Sequence, residues 1–152
     1  MYKGQDPSVK ELIRLVKDGR IGRLRYITSN RLNLGAFRQE ENVLWSFAPH
    51  DVAIILKLLG GMPEEVACHG SAFLNPDVPD VTLTDLRFAG NVRGHIFVSW
   101  LHPFKEHRFV VVGERQMGVF DDTRPWPGKL VLYPHRVEWL EGHVPVAHRA
   151  EA

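Results

Sequence analysis

Several absences narrow the reading of this 152-residue chain before any motif is sought. It has one cysteine, Cys68, so no internal disulfide can form. Cys68 falls in an apolar strand-like stretch and reads as a small buried hydrophobe. The thirteen glycines include no Gly-x-Gly, which removes both the dinucleotide fingerprint and the phosphate-cradling P-loop. No apolar run approaches the roughly 20 residues that span a bilayer, and the polar N-terminus lacks the apolar core of a secretory signal. These features predict a cytoplasmic protein with no membrane partner. A formal net charge of +1 gives nucleic acid nothing to hold, and the densest arginine group (Arg20, Arg23, Arg25) reads as a solvated strand edge.

Metal and nucleophile chemistry are equally short of support. Of the eight histidines, His102 and His107 stand five apart, a spacing that suits neither one face of a helix nor one face of a strand. There is no Cys pair and no His-Glu-x-x-His, so no metal site is expected. Ser46 and Ser71 lack the glycine-flanked elbow of a nucleophilic serine.

What is present is the composition of one globular domain, 44% hydrophobic and 24% charged. Asp6-Pro7 opens a helix, with Val9, Leu12, Ile13 and Val16 forming its apolar stripe and Gly19 closing it. A long strand follows over 23–34, with Leu24, Tyr26, Leu32 and Leu34 on one face and Arg25, Ser29, Arg31 and Asn33 on the other. A loop over 35–42 leads to a second helix, placed at 49–59 by Pro49 and stopped by Gly60-Gly61. Strands are predicted at 65–73, 81–88, 92–101, 108–112, 118–120 and 129–133, with Gly90-Asn91 turning a hairpin. Helices early and strands late predict an α+β domain: an open, mainly antiparallel sheet with two helices on one face. Its expected extent is 7–142, followed by a short polar tail over 143–152 without a closing helix or strand.

The segment Trp45-Ser46-Phe47-Ala48-Pro49-His50-Asp51 offers the best chemistry. With Pro49 at the helix start, His50 and Asp51 fall in the first turn, where the helix dipole disfavours a protonated imidazole. A neutral His50 could accept a proton from a hydroxyl. The competing reading is structural: Asp51 serves the free first-turn amides while His50 only packs or hydrogen-bonds.

Several stretches, taken in order, resemble the glucose–fructose oxidoreductase/inositol dehydrogenase (Gfo/Idh/MocA) family. They are VKELIRLVKDGRIGRLRY (9–26), SNRLNLG (29–35), NVLWSFAPHDVAIILKLLG (42–60), SWLHPFKEHRFVVVGE (99–114) and MGVFDD (117–122). The resemblance implies the C-terminal, substrate-binding and oligomer-forming domain of an NAD(P)-dependent oxidoreductase. SNRLNLG and LWSFAPHD look most like the branch acting on nucleotide sugars and other amino or uronic sugars in polysaccharide synthesis. His50 matches the histidine of the family's Asp-x-x-x-His motif, beside the sugar hydroxyl, and Asp51 the acid often found after it. Ser46 stands where the family has aspartate.

Trp45 and Ser46 of the same segment are then substrate-side residues, and so are Arg31 and Asn33, which share one strand face, and Lys105 in HPFKEH, with a polar sheet surface at a subunit interface the competing reading for Arg31 and Asn33. The family's N-terminal Rossmann domain, its Glu-Lys-Pro lysine and its closing helix have no counterpart in these residues. The expectation is therefore a fragment or split product that binds no cofactor alone. It would be inactive in dehydrogenation, and would form a homo-oligomer through the sheet face or pair with a separate Rossmann partner.

Overall fold

The computed structural model describes residues 6–35 and 37–152. Residues 1–5, read above as a polar, signal-free start, and Ala36 of the 35–42 loop lie outside the described residues. Helix α1 (Pro7–Lys17) begins where the sequence places it: the Asp6 carboxylate accepts the Ser8 amide at 2.9 Å and Pro7 occupies the first turn. Its buried face is Val9, Leu12 and Leu15, with Ile13 and Val16 at the margin, so the stripe is turned slightly from the expected one.

Strand β1 (Leu24–Leu34) is followed by helix α2 (Val43–Leu59), then β2 (Glu65–Ser71), β3 (Val81–Phe88), β4 (Val92–Ser99), β5 (Leu101–Gly113), β6 (Met117–Asp121) and β7 (Leu130–Tyr133). These seven strands form one sheet in the order β2-β3-β4-β1-β5-β6-β7. Only β1 and β4 run parallel; the other pairs are antiparallel. Both helices lie on one face, α2 over β1, β3 and β4 and α1 over β6 and against α2. Between helices and sheet sits a single core that includes Leu12, Ile54, Ile55, Ile27, Ile96, Val98, Phe109 and Phe120. Each such side chain contributes about 1.5–3 kcal/mol by leaving water. The expected α+β architecture is the observed one.

Five local readings change. Helix α2 begins at Val43, capped by the Asn42 side chain, which accepts the Trp45 amide at 3.2 Å; Pro49 is inside the helix, not at its start. A bulge at the start of β1, between Leu24 and Tyr26, sends their side chains to opposite faces, so Leu24 packs on the core while Tyr26 is exposed against His95. Strand β5 begins at Leu101, seven residues before the expected start. Cys68 is exposed rather than buried, because β2 is an edge strand with no layer over it. Finally, Arg136–Leu140 (β8) and Val144–His148 (β9) pair as a hairpin, so a strand lies within the stretch read as a tail.

Candidate active site

The centre of β1 explains where the site lies. The face read from sequence as polar (Ser29, Arg31) also carries Ile27, and it points under α2 rather than outward; Ile27 and Ser29 are fully buried. Asp51, two turns into α2, points down at the same place and is 0% exposed. The two meet as a fork: Arg31 Nε donates to Asp51 Oδ2 and Nη2 to Oδ1, each at 2.9 Å. A bidentate guanidinium–carboxylate pair suits such burial because every lone pair facing the fork is used. Burial alone would raise the Asp51 carboxyl, but the Arg31 guanidinium forked onto it outweighs this and holds it below the usual carboxylate range.

His107, on β5 opposite Arg31, completes the cluster. Its Nε2 lies 2.9 Å from Arg31 Nη2 and 3.5 Å from Asp51 Oδ1. Its Nδ1 lies 3.2 Å from Asp122 Oδ2, and its ring stands edge-on to Phe120. Lys129 bonds Asp122 at 2.9 Å and reaches Asp6, the cap of α1, at 3.3 Å. A continuous polar line thus runs from Arg31 under α2 to the N-cap of α1. Neither His107 nor Asp122 was selected from sequence. The hint available was HPFKEHRF meeting MGVFDD, two stretches whose pairing only the fold reveals.

His50 precedes Asp51 on α2, so its side chain is turned about 100° from the buried face and remains half-buried. It sits in the middle of the helix, and the first-turn dipole argument does not apply to it. Its imidazole is nevertheless held below the ordinary histidine range, first by burial and next by the charge of Arg31. Ser46 lies one turn earlier on the same side of α2 as His50, and Trp45 beside it is 68% exposed. Asn33 follows Arg31 along β1, where the pairing with β5 shifts register. Lys105 is exposed on β5 at that irregularity, and no bond ties it to the cluster. The fold therefore brings Arg31, His50 and Asp51 together with Ser46 and Trp45 along one helix, and leaves Lys105 apart.

Residues 9–118 match the GFO/IDH/MocA C-terminal domain model. The chain belongs to this family. Among solved structures it is similar to a protein from Magnetospirillum magnetotacticum MS-1 assigned as an oxidoreductase, at 27% identity and a TM-score of 0.72, over 92% of this chain and 44% of that one. It is also similar to the UDP-N-acetylglucosamine 3-dehydrogenase GnnA from Acidithiobacillus ferrooxidans, at 17% identity and a TM-score of 0.73, covering 99% of this chain and 46% of that one. A third is the WlbA dehydrogenase from Bordetella pertussis in complex with NADH and UDP-GlcNAcA, at 18% identity and a TM-score of 0.69, covering 83% and 46%. The chain thus spans less than half the length of these structures. No curated protein matches it. Among the described residues no helix is long and apolar enough to cross a membrane, and no group of three His, Cys, Asp or Glu is disposed to hold a metal ion.

Proposed function

We propose that this domain forms the substrate side of an NAD(P)-dependent sugar dehydrogenase acting on a nucleotide sugar or sugar acid. In this reading hydride passes between a sugar carbinol carbon and nicotinamide, and His50 accepts the hydroxyl proton. The observation that carries the reading is a half-buried imidazole, held in its neutral form by burial and by Arg31, on the helix of a domain of this family. A histidine poised as a base near neutral pH suits general-base work worth about 10²–10⁴-fold.

Arg31 gives Nε and Nη2 to Asp51 and His107; among the described residues Nη1 makes no bond, which leaves two N–H groups for an anionic substituent. Trp45 and Ser46 would flank the sugar, with Asn33 and Lys105 at the rim. The dinucleotide, which takes up the hydride when bound, finds no cradle in these residues. They hold no Gly-x-Gly, and the one parallel pair among the described residues, β1 and β4, is linked through α2, β2 and β3 rather than by one crossover helix. We therefore assign the cofactor to a Rossmann domain outside these 152 residues, as a partner or as another part of the protein, and the isolated chain to the inactive state.

Two measurements test this. The 152-residue chain with NAD⁺ and a UDP-sugar acid should form no NADH, and NADH formation would refute the cofactor assignment. Titrating the same sugar into the labelled chain should perturb the backbone amide signals of His50, Arg31 and Trp45 and the imidazole signals of His50; perturbation elsewhere, or none, would refute the site.

A non-catalytic oligomerisation module is the second reading. It is favoured by the β8–β9 hairpin, which exposes Val137, Trp139, Pro145 and Ala147 on one apolar face. Contact through the outer sheet face, with Tyr26 and Leu83 exposed among Asp85, Arg93 and His95, is part of either reading. A dimer burying well over ~1,000 Å² that binds no sugar would favour the module.

A further inference from the structure

A count of hydrogens at Arg31 singles out His107. A guanidinium has five N–H donors and no acceptor. Arg31 Nε–H and one Nη2–H go to Asp51, and the other Nη2–H meets His107 Nε2 at 2.9 Å. That contact requires a lone pair on Nε2. The ring proton therefore sits on Nδ1, where Asp122 Oδ2 accepts it at 3.2 Å. The 3.5 Å approach of Nε2 to Asp51 is then proximity rather than a bond.

The imidazole is held from every side. Lys129 fixes Asp122, the Asp122 amide donates to the His107 carbonyl at 3.0 Å, and the Phe120 ring closes one edge. A buried histidine with only a packing role would need its own two nitrogens satisfied and nothing more. Here its lone pair also takes the second Nη2 hydrogen beside the Asp51 fork, which holds the guanidinium from a second direction and leaves Nη1 over.

We propose that His107 is a positioning residue for the His50 site: its Nε2 lone pair fixes the orientation of Arg31, and through Arg31 the environment of His50. The proposal rests on reading α2 as the helix that carries the proton-handling histidine, but its test involves no turnover, so the two can fail separately. The charged or titratable groups facing His50 among the described residues are Arg31 of β1, Asp51 of α2 and His107 of β5.

The experiment is imidazole nitrogen NMR on the full chain. In the unmodified protein His107 should show a protonated Nδ1 and a bare Nε2; the opposite tautomer overturns the proposal without any mutation. His107→Gln sets an amide oxygen near the Nε2 position and can still accept from Arg31. His107→Asn sets an amide nitrogen near Nδ1 and keeps only the Asp122 contact. The titration midpoint of His50 should stay within about 0.2 units in the Gln variant and rise by about half a unit or more in the Asn variant, where Arg31 keeps the Asp51 fork but, with its second Nη2 hydrogen released, tilts about that fork away from His50. Thermal melting of both variants is measured alongside. A purely structural His107 would lower stability in both and leave the His50 midpoint alike in both; equal shifts, or none, overturn the proposal.

Discussion

Replacing Asp51 by alanine tests the buried fork directly. Asp51 is 0% exposed and its partner's side chain only 15%, so solvent screens neither group well. The substitution strands a guanidinium under α2 with Nε and one Nη2 hydrogen unpaired. Breaking a buried pair from one side costs about 3–5 kcal/mol, most of it the uncompensated charge left behind. At about 2–4 °C per kcal/mol for a domain of this size, Tm should fall by about 6–20 °C.

Urea unfolding near pH 7 should show a lower midpoint with an unchanged slope, since the surface exposed on unfolding hardly alters. The acid side gives a second check. The Asp51 carboxyl is depressed in the fold, so its contribution is complete above the unfolded value of 3.8 and is lost as pH falls through the lower folded value. The stability gap between wild type and Asp51→Ala should therefore be full at neutral pH and narrow below pH 3.8. A loss under about 1 kcal/mol at neutral pH, the value of an exposed pair, would refute the account of a dry fork. A gap independent of pH down to about 2 would refute its electrostatic origin.

Other substitutions probe the frame around the site. Gly113→Ala would drive a methyl into the carbonyl oxygen and Cγ2 of Ile21; a loss of about 1–3 kcal/mol in urea unfolding is expected. Pro49→Ala should stabilise the domain by about 1–2 kcal/mol, because it restores an amide to the Trp45 carbonyl inside α2 and the position is exposed; a lower Tm would show that the helix needs the proline. Ser46→Asp places a carboxylate one turn from His50, and should raise the His50 midpoint in an NMR titration, since a nearby negative charge favours the imidazolium. An unmoved midpoint would separate the two side chains.

Local chemistry made most of the frame legible. The Asp6-Pro7 helix start, the Gly90-Asn91 turn with positive φ at both residues, and the β-branched runs of β3 to β5 each follow from a few neighbouring residues. Pro49 points to a helix start because proline is at home in a first turn, and that preference hides the true cap at Asn42. The neutral tendency of His50 does not come from a helix end, which lies elsewhere; burial and Arg31, 19 positions away in sequence, supply it instead. Arg31 looked like a surface residue because strand alternation assigns faces without saying which one is covered.

His107 was out of reach for the same reason. Its partners stand 76 and 15 positions away, and only the β1–β5 and β5–β6 pairings bring them together. A histidine between two carboxylates and a guanidinium has no sequence spacing of its own, since three separate elements set the distances. The residues that hold a site in place are, on this argument, less legible than those that face its substrate. The latter share one helix and keep their spacing; the former are assembled by the sheet.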